Sequence, residues 1–155
     1  MRAVVKYAQV FLAAAGLVAT VAEPAAASAV GYAKVVGFCH GTKTAEICVP
    51  VTTLGHFVQG SGKKISRQEA SIQDVFGADS AGGRWCNWHF DWRYSDTNGR
   101  TYLVSKGPIR NGCDMLQNIG RVDKQKRTLK HYGKACVDFY AGGAKRATQC
   151  HNIIK

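Results

Sequence analysis

Residues 87–94 read Asn-Trp-His-Phe-Asp-Trp-Arg-Tyr, with an aromatic side chain at every second position and a polar one between. That strict period of two fits a half-buried β-strand and no helix. Asp96-Thr97-Asn98-Gly99 follows, with Asn-Gly a favoured dipeptide of primed hairpin turns, and residues 101–105 return as a second strand. Trp88, Phe90, Trp92 and Tyr94 share one face. Such a face could stack sugars or bases, but the apolar area each ring buries makes it the floor of a core first. His89, Asp91 and Arg93 then face outward.

The same logic extends in both directions. Residues 135–140 and 145–153 flank Ala141-Gly142-Gly143-Ala144, and a three-residue loop at 142–144 sets Cys136 opposite Cys150. Residues 28–38 carry Ala29, Val30, Tyr32, Val35, Val36 and Phe38 with a single charge, Lys34, and suit an extended strand. That segment either pairs inside its own domain or is an apolar arm for a partner's sheet. Gly41-Thr42-Lys43-Thr44 turns the chain, and Ile47, Val49 and Val51 alternate on the return. Pro50 marks an edge or bulge there.

Elsewhere the pattern is mixed. Residues 59–64 and 78–84 read as loops. Ser66 followed by Glu69 forms a capping box, with Ile72, Val75 and Phe76 at helical spacing, so a short helix is expected over 67–76, closed by Gly77. Pro108 could open another, carrying Met115, Leu116 and Ile119, although Asn111-Gly112 breaks it. Residues 123–130 are basic and polar, an exposed strand face or a loop. The expected fold is mainly β: a small antiparallel, hairpin-rich, disulfide-stabilised domain with one or two short helices.

The first 27 residues have the build of a secretory signal peptide. Arg2 and Lys6 precede an uncharged apolar run from Val10 to Val21, and Ala25-Ala26-Ala27 supplies small residues at the cleavage site. That run is short for a membrane span, which needs about 20 residues. The expected organisation is residues 1–27 as leader, 28–38 as arm or first strand, and 39–155 as a single domain. The expected product is a secreted, extracellular protein with no transmembrane segment. Removing the leader leaves about 128 of the 155 residues, enough for one real core. The leader holds +1 of the +11 formal charge, so the mature chain stays near +10 and suits an anionic surface or polymer as well as mere solubility.

Export makes the six cysteines disulfide candidates. Six allow fifteen pairings. Their grouping favours neighbours: Cys39 with Cys48, Cys86 with Cys113, Cys136 with Cys150. Cys39-His40 and Cys150-His151 resemble ligand pairs, but adjacent strand residues point to opposite faces and no CxxC is present, so no metal or other cofactor is expected.

Catalytic constellations are thin. A secreted ribonuclease needs a general acid, a general base and a cation for phosphate. His89 with Arg93, plus His131 or His151 from elsewhere, could supply them. There is no G-x-S-x-G elbow for a serine hydrolase. Asp91 and Asp96, at odd spacing, would fall on opposite strand faces, against a glycosidase pair.

The C-terminal run Ala135-Cys136-Val137-Asp138-Phe139-Tyr140, two glycines, then Gln149-Cys150-His151-Asn152-Ile153 resembles the small secreted, cysteine-stapled proteins of actinobacteria. Among these, the combination of export signal, apolar segment 29–38 and compact cysteine-bearing domain is similar to the adaptor subunit of umbrella toxin particles, which are antibacterial assemblies. The resemblance implies a small β-rich adaptor that docks on a scaffold through its N-terminal segment, with Tyr32, Val35, Val36 and Phe38 as contacts. A binding module thus ranks above an enzyme. A secreted protein inhibitor fits the same build, and the ribonuclease or toxin-effector reading comes third.

Overall fold

The aromatic strand extends further than its alternation. In the computed structural model, which describes residues 27–42, 45–49, 52–73 and 84–155, it runs over Arg84–Asp96. Trp88, Phe90, Trp92 and Tyr94 are all buried, as their spacing implies. Trp85 is buried too, three positions from Trp88. A register shift between Cys86 and Trp88, with Asn87 at φ 50°, makes this possible. A bulge of that kind turns both side chains to one face.

Twelve strands are described: β1 (Ala27–Val35), β2 (Phe38–Thr42), β3 (Ala45–Val49), β4 (Thr52–Ser61), β5 (Lys64–Gln73), β6 (Arg84–Asp96), β7 (Thr101–Ser105), β8 (Arg110–Met115), β9 (Gly120–Asp123), β10 (Arg127–Thr128), β11 (Gly133–Ala141) and β12 (Ala144–Ile153). The first sheet runs β1-β4-β5-β10, with β9 also on β5; the second runs β12-β11-β6-β7, with β8 also on β6. β2 and β3 pair alone. Every pairing is antiparallel. Leu54, Val58 and Ile72 of the first sheet and Trp92, Val137 and Phe139 of the second join one buried cluster, with Leu116, Ile119 and Leu129 added from the connections.

Two cystines fix the second sheet, Cys86–Cys113 and Cys136–Cys150. Both join residues directly opposite in register. The register also sets Cys39 opposite Cys48. The Cys136–Cys150 pairing arises in an unexpected way. The turn has two residues, Gly142 and Gly143, both at positive φ as a type I′ turn requires. A bulge beside Tyr140 supplies the missing residue and restores the alignment.

The other hairpin also departs from expectation. Gly99 lies at positive φ, whereas Asn98 does not, so the Asn-Gly dipeptide is not a primed turn. Asp96 organises the loop instead, its Oδ1 accepting the backbone N–H groups of Asn98 and Arg100.

The helix expected over 67–76 is a strand as far as Gln73. Ser66 Oγ donates to the Gln59 carbonyl and does not cap a helix, while Glu69 pairs with Arg67. Gln68, Ala70 and Ile72 are buried and alternate with more exposed neighbours, a period of two beneath the capping box. Pairing with β4 on one side and β9 on the other overrides local preference. Residues 107–122 form β8, one 3-10 turn at Leu116–Asn118 and the start of β9, so the second expected helix is absent too. The loop expected over 59–64 shrinks to Gly62-Lys63, because both strands run into it. Residues 1–26, Pro50, Val51, Val75, Phe76, Gly77 and the glycine-rich stretch 78–83 lie outside the described residues. No helix among the described residues is long and apolar enough to cross a membrane.

Candidate docking surface

β1 is the first strand of the domain, paired along its whole length with β4 from Ala27↔Gly60 to Val35↔Thr52. Its inward positions are small until the last: Ala29, Gly31, Ala33, then Val35. Gly31 leaves room there for side chains of β12. A Cβ at Gly31 would stand 2.2 Å from Gln149 Nε2 and 2.9 Å from His151 Cε1, so β12 packs its side chains directly onto β1. Val35 is fully buried in the core.

The outward positions are exposed. Val30 is 58% and Tyr32 60% accessible, and Val36, just past the strand, is 63%. The Tyr32 ring lies over Gly55, its Cε1 3.5 Å from where a Cβ would be. Register continues this surface across the sheet: Val30 aligns with Phe57, Phe57 with Glu69, and Glu69 with Val122, which is 55% exposed. The next row is Tyr32, Gly55, Ser71 and Gly120, with the Gln73 side chain close over Gly55. Glu69, paired with Arg67, and Ser71, hydrogen-bonded by Gln73, place polar groups within the two rows. Apolar side chains interspersed with polar ones are an ordinary composition for a protein-contact surface.

Of the four residues the sequence nominated for a partner, Tyr32 and Val36 are presented and Val35 is not; the Phe38 side chain lies outside what the structure describes. The nominated set mixed two faces of one strand. Val30 and Val122 were missed. Alternation along 28–35 points to Val30, whereas Val122 joins it only through strand pairing.

The ribonuclease set is not brought together. His89 and Arg93 lie on the outer face of the second sheet, but His151 aligns through Ala135 with Tyr94 on the inner face. His131 is exposed on the β10–β11 connection, edge-on to Tyr102 at 5.1 Å.

The outer face of β6 is also occupied. The Arg93 guanidinium donates twice to Asp138, at 2.7 and 3.1 Å, and Thr148 Oγ1 donates to the same carboxylate at 2.6 Å. Burial pushes the Asp138 pKa up; the Arg93 and Thr148 hydrogen bonds, with the charges of Arg93 and Lys145, outweigh it and hold the carboxylate below its ordinary range. His89 stacks flat on Tyr140, with ring centroids 4.6 Å apart. Asp91 was expected to face solvent, but it is buried and accepts the Gly107 N–H at 3.0 Å. These chemistry-bearing groups serve one another.

The interior holds a histidine that the sequence reading left aside. His56 of β4 is buried, stacked on Trp92 at 5.5 Å and 4.8 Å from the His151 ring. Burial first, and the neighbouring His151 second, lower its pKa to about 3. It is a neutral core side chain at any ordinary pH. Among the described residues no cluster of three or more His, Cys, Asp or Glu is placed to hold a metal ion.

Comparison with protein-family models, with curated proteins and with solved structures returns no match.

Proposed function

We propose that this chain is a secreted, non-catalytic adaptor that docks a larger protein through the outward face of β1, with Val30, Tyr32 and Val36 as contacts. The observation that carries the reading is Val30 and Tyr32, each more than half exposed, along one strand whose inner side packs on the core, with equally exposed Val36 just past its end. A rigid strand presents such contacts without the ordering cost that a loose arm would incur. The two cystines agree with an oxidising compartment. The similarity to umbrella toxin adaptors supplies the class of partner: a large exported scaffold of an antibacterial assembly. Docking then uses a face of the folded domain and not an inserted arm, since β1 is already paired.

The test is recovery of the tagged protein from the medium of its native producer, as wild type and as Val30→Asp/Tyr32→Asp. Wild type should bring down a large secreted partner in fixed stoichiometry, and the variant should lose it while keeping its thermal midpoint. A wild-type protein recovered alone under gentle conditions would overturn the reading.

A further inference from the structure

Two basic segments that are far apart in sequence meet at one end of the first sheet. The β4–β5 turn carries Lys63 and Lys64, and the β9–β10 region carries Lys124, Lys126 and Lys130. β10 pairs with the start of β5, setting Thr128 opposite Lys64 and Arg127 opposite Ile65. The Leu129 N–H donates to the Lys63 carbonyl at 2.8 Å, which ties the turn to the same segment. Lys64, Lys124, Lys126 and Lys130 are exposed and Lys63 is half-buried, its Nζ 5.4 Å from the Tyr132 ring centre. None of the five has an ion-pair partner among the described residues. Between the two segments runs a cleft of about 340 Å³ lined by Lys64, Ser66, Lys126, Arg127 and Thr128, with Ile65.

We propose that this cleft binds a linear inorganic polyphosphate chain, with Lys64 and Lys126 lining it and Lys63, Lys124 and Lys130 flanking it. Five ammonium groups without local counter-charge attract a polyanion and release its condensed ions. Their chemistry selects among polyanions. The arginine of the cleft, Arg127, is held by Asp123 and lies over the Tyr94 ring, so lysines are left to meet the ligand as mobile point charges. Among the described residues no aromatic ring lines the cleft for base stacking, and Tyr132 beside it is half-buried beneath Lys63. Ile65, which lines the cleft, and Leu129 beside it are buried, so the cleft itself offers little apolar surface to a lipid bilayer. A flexible chain recognised by its repeated phosphates alone meets these conditions.

The experiment titrates the full chain with inorganic polyphosphate, with a single-stranded oligonucleotide and with anionic vesicles, each at two salt concentrations. Lys64→Glu/Lys126→Glu is set against Lys106→Glu/Arg110→Glu, which removes the same charge from exposed sites outside the cleft. The cleft variant should lose about tenfold or more in polyphosphate affinity, with a salt slope shallower by about 2, and the control should lose far less. Equal losses in both variants would overturn the proposal, because binding would then follow net charge and not this cleft. A marked preference for the oligonucleotide or the vesicles over polyphosphate would overturn it too.

Discussion

The outer faces of the two sheets carry opposite kinds of residue and use them in opposite ways. On the second sheet, His89, Asp91, Arg93 and Asp138 look like chemistry, yet each is engaged with a neighbour: stacked on Tyr140, bonded to Gly107, or joined in the Arg93–Asp138–Thr148 network. On the first sheet, Val30, Tyr32 and Val122 look like ordinary strand residues, yet they stand exposed on a paired surface. Reactive residue types are engaged in structure here, and plain apolar ones stand exposed on the face proposed for docking. Satisfied polar groups are consumed by the fold; exposed apolar area is not.

The sharpest way to break this contrast is to remove a ring from beneath the second sheet. Trp92→Ala takes a fully buried indole from the core and should cost about 3–5 kcal/mol in chemical denaturation. A cost under about 1 kcal/mol would mean the second sheet is not the packed half of the molecule. Next, Asp138→Ala strands the Arg93 guanidinium, which is 26% exposed. Partial hydration tempers the penalty for an orphaned buried charge, leaving a loss of about 2 kcal/mol. If stability is unchanged, the network is ornamental and Arg93 becomes available for a ligand again.

A third prediction lies between the sheets and concerns pH. The folded pKa of His56 is about 3, against 6.5 for an ordinary histidine. Between those values the unfolded chain binds the proton and the folded chain does not. Stability therefore falls as pH drops through that window, by at most about 1.4 kcal/mol per pH unit. Asp138, held below the carboxylate range, adds its own loss only at more acid pH. Denaturation midpoints followed from pH 7 to about 4.5 cover the window in which His56 acts and Asp138 does not. His56→Gln should flatten the slope whatever its effect on absolute stability, and an unchanged slope would relocate the proton elsewhere.

Legibility in the sequence followed the same division between the sheets. Most of the second sheet was readable because its signals are local: alternation over 87–94, two glycines in a turn, cysteines placed to face across strands; β8, where a helix opened by Pro108 was expected, was not. The bulges at Asn87 and beside Tyr140 were not, since each compensates a register that only the paired strand defines. β5 was misread because a capping box is a local motif and its override comes from β4 and β9, distant in sequence. The docking surface was half legible. Tyr32 could be chosen from residue type, but separating it from Val35 required the parity of β1, and adding Val122 required three strands side by side.

The smallest expected change in stability is therefore the most informative about function. Tyr32→Ser removes a ring 60% exposed that rests on Gly55, and little core contact goes with it. The stability cost should stay within about 0.5 kcal/mol, because surface changes away from caps, cavities and buried charges seldom exceed that. Partner recovery should nevertheless fall sharply, since aromatic side chains near the centre of an interface carry a disproportionate share of its energy. Val35→Ala should do the reverse, opening a cavity at a fully buried position while leaving the outward face in place. Measured together by thermal denaturation and partner pull-down, the two substitutions separate the strand's two faces. Parallel losses in both readouts for both variants would mean β1 acts only as scaffold, and the exposed row would then need no partner.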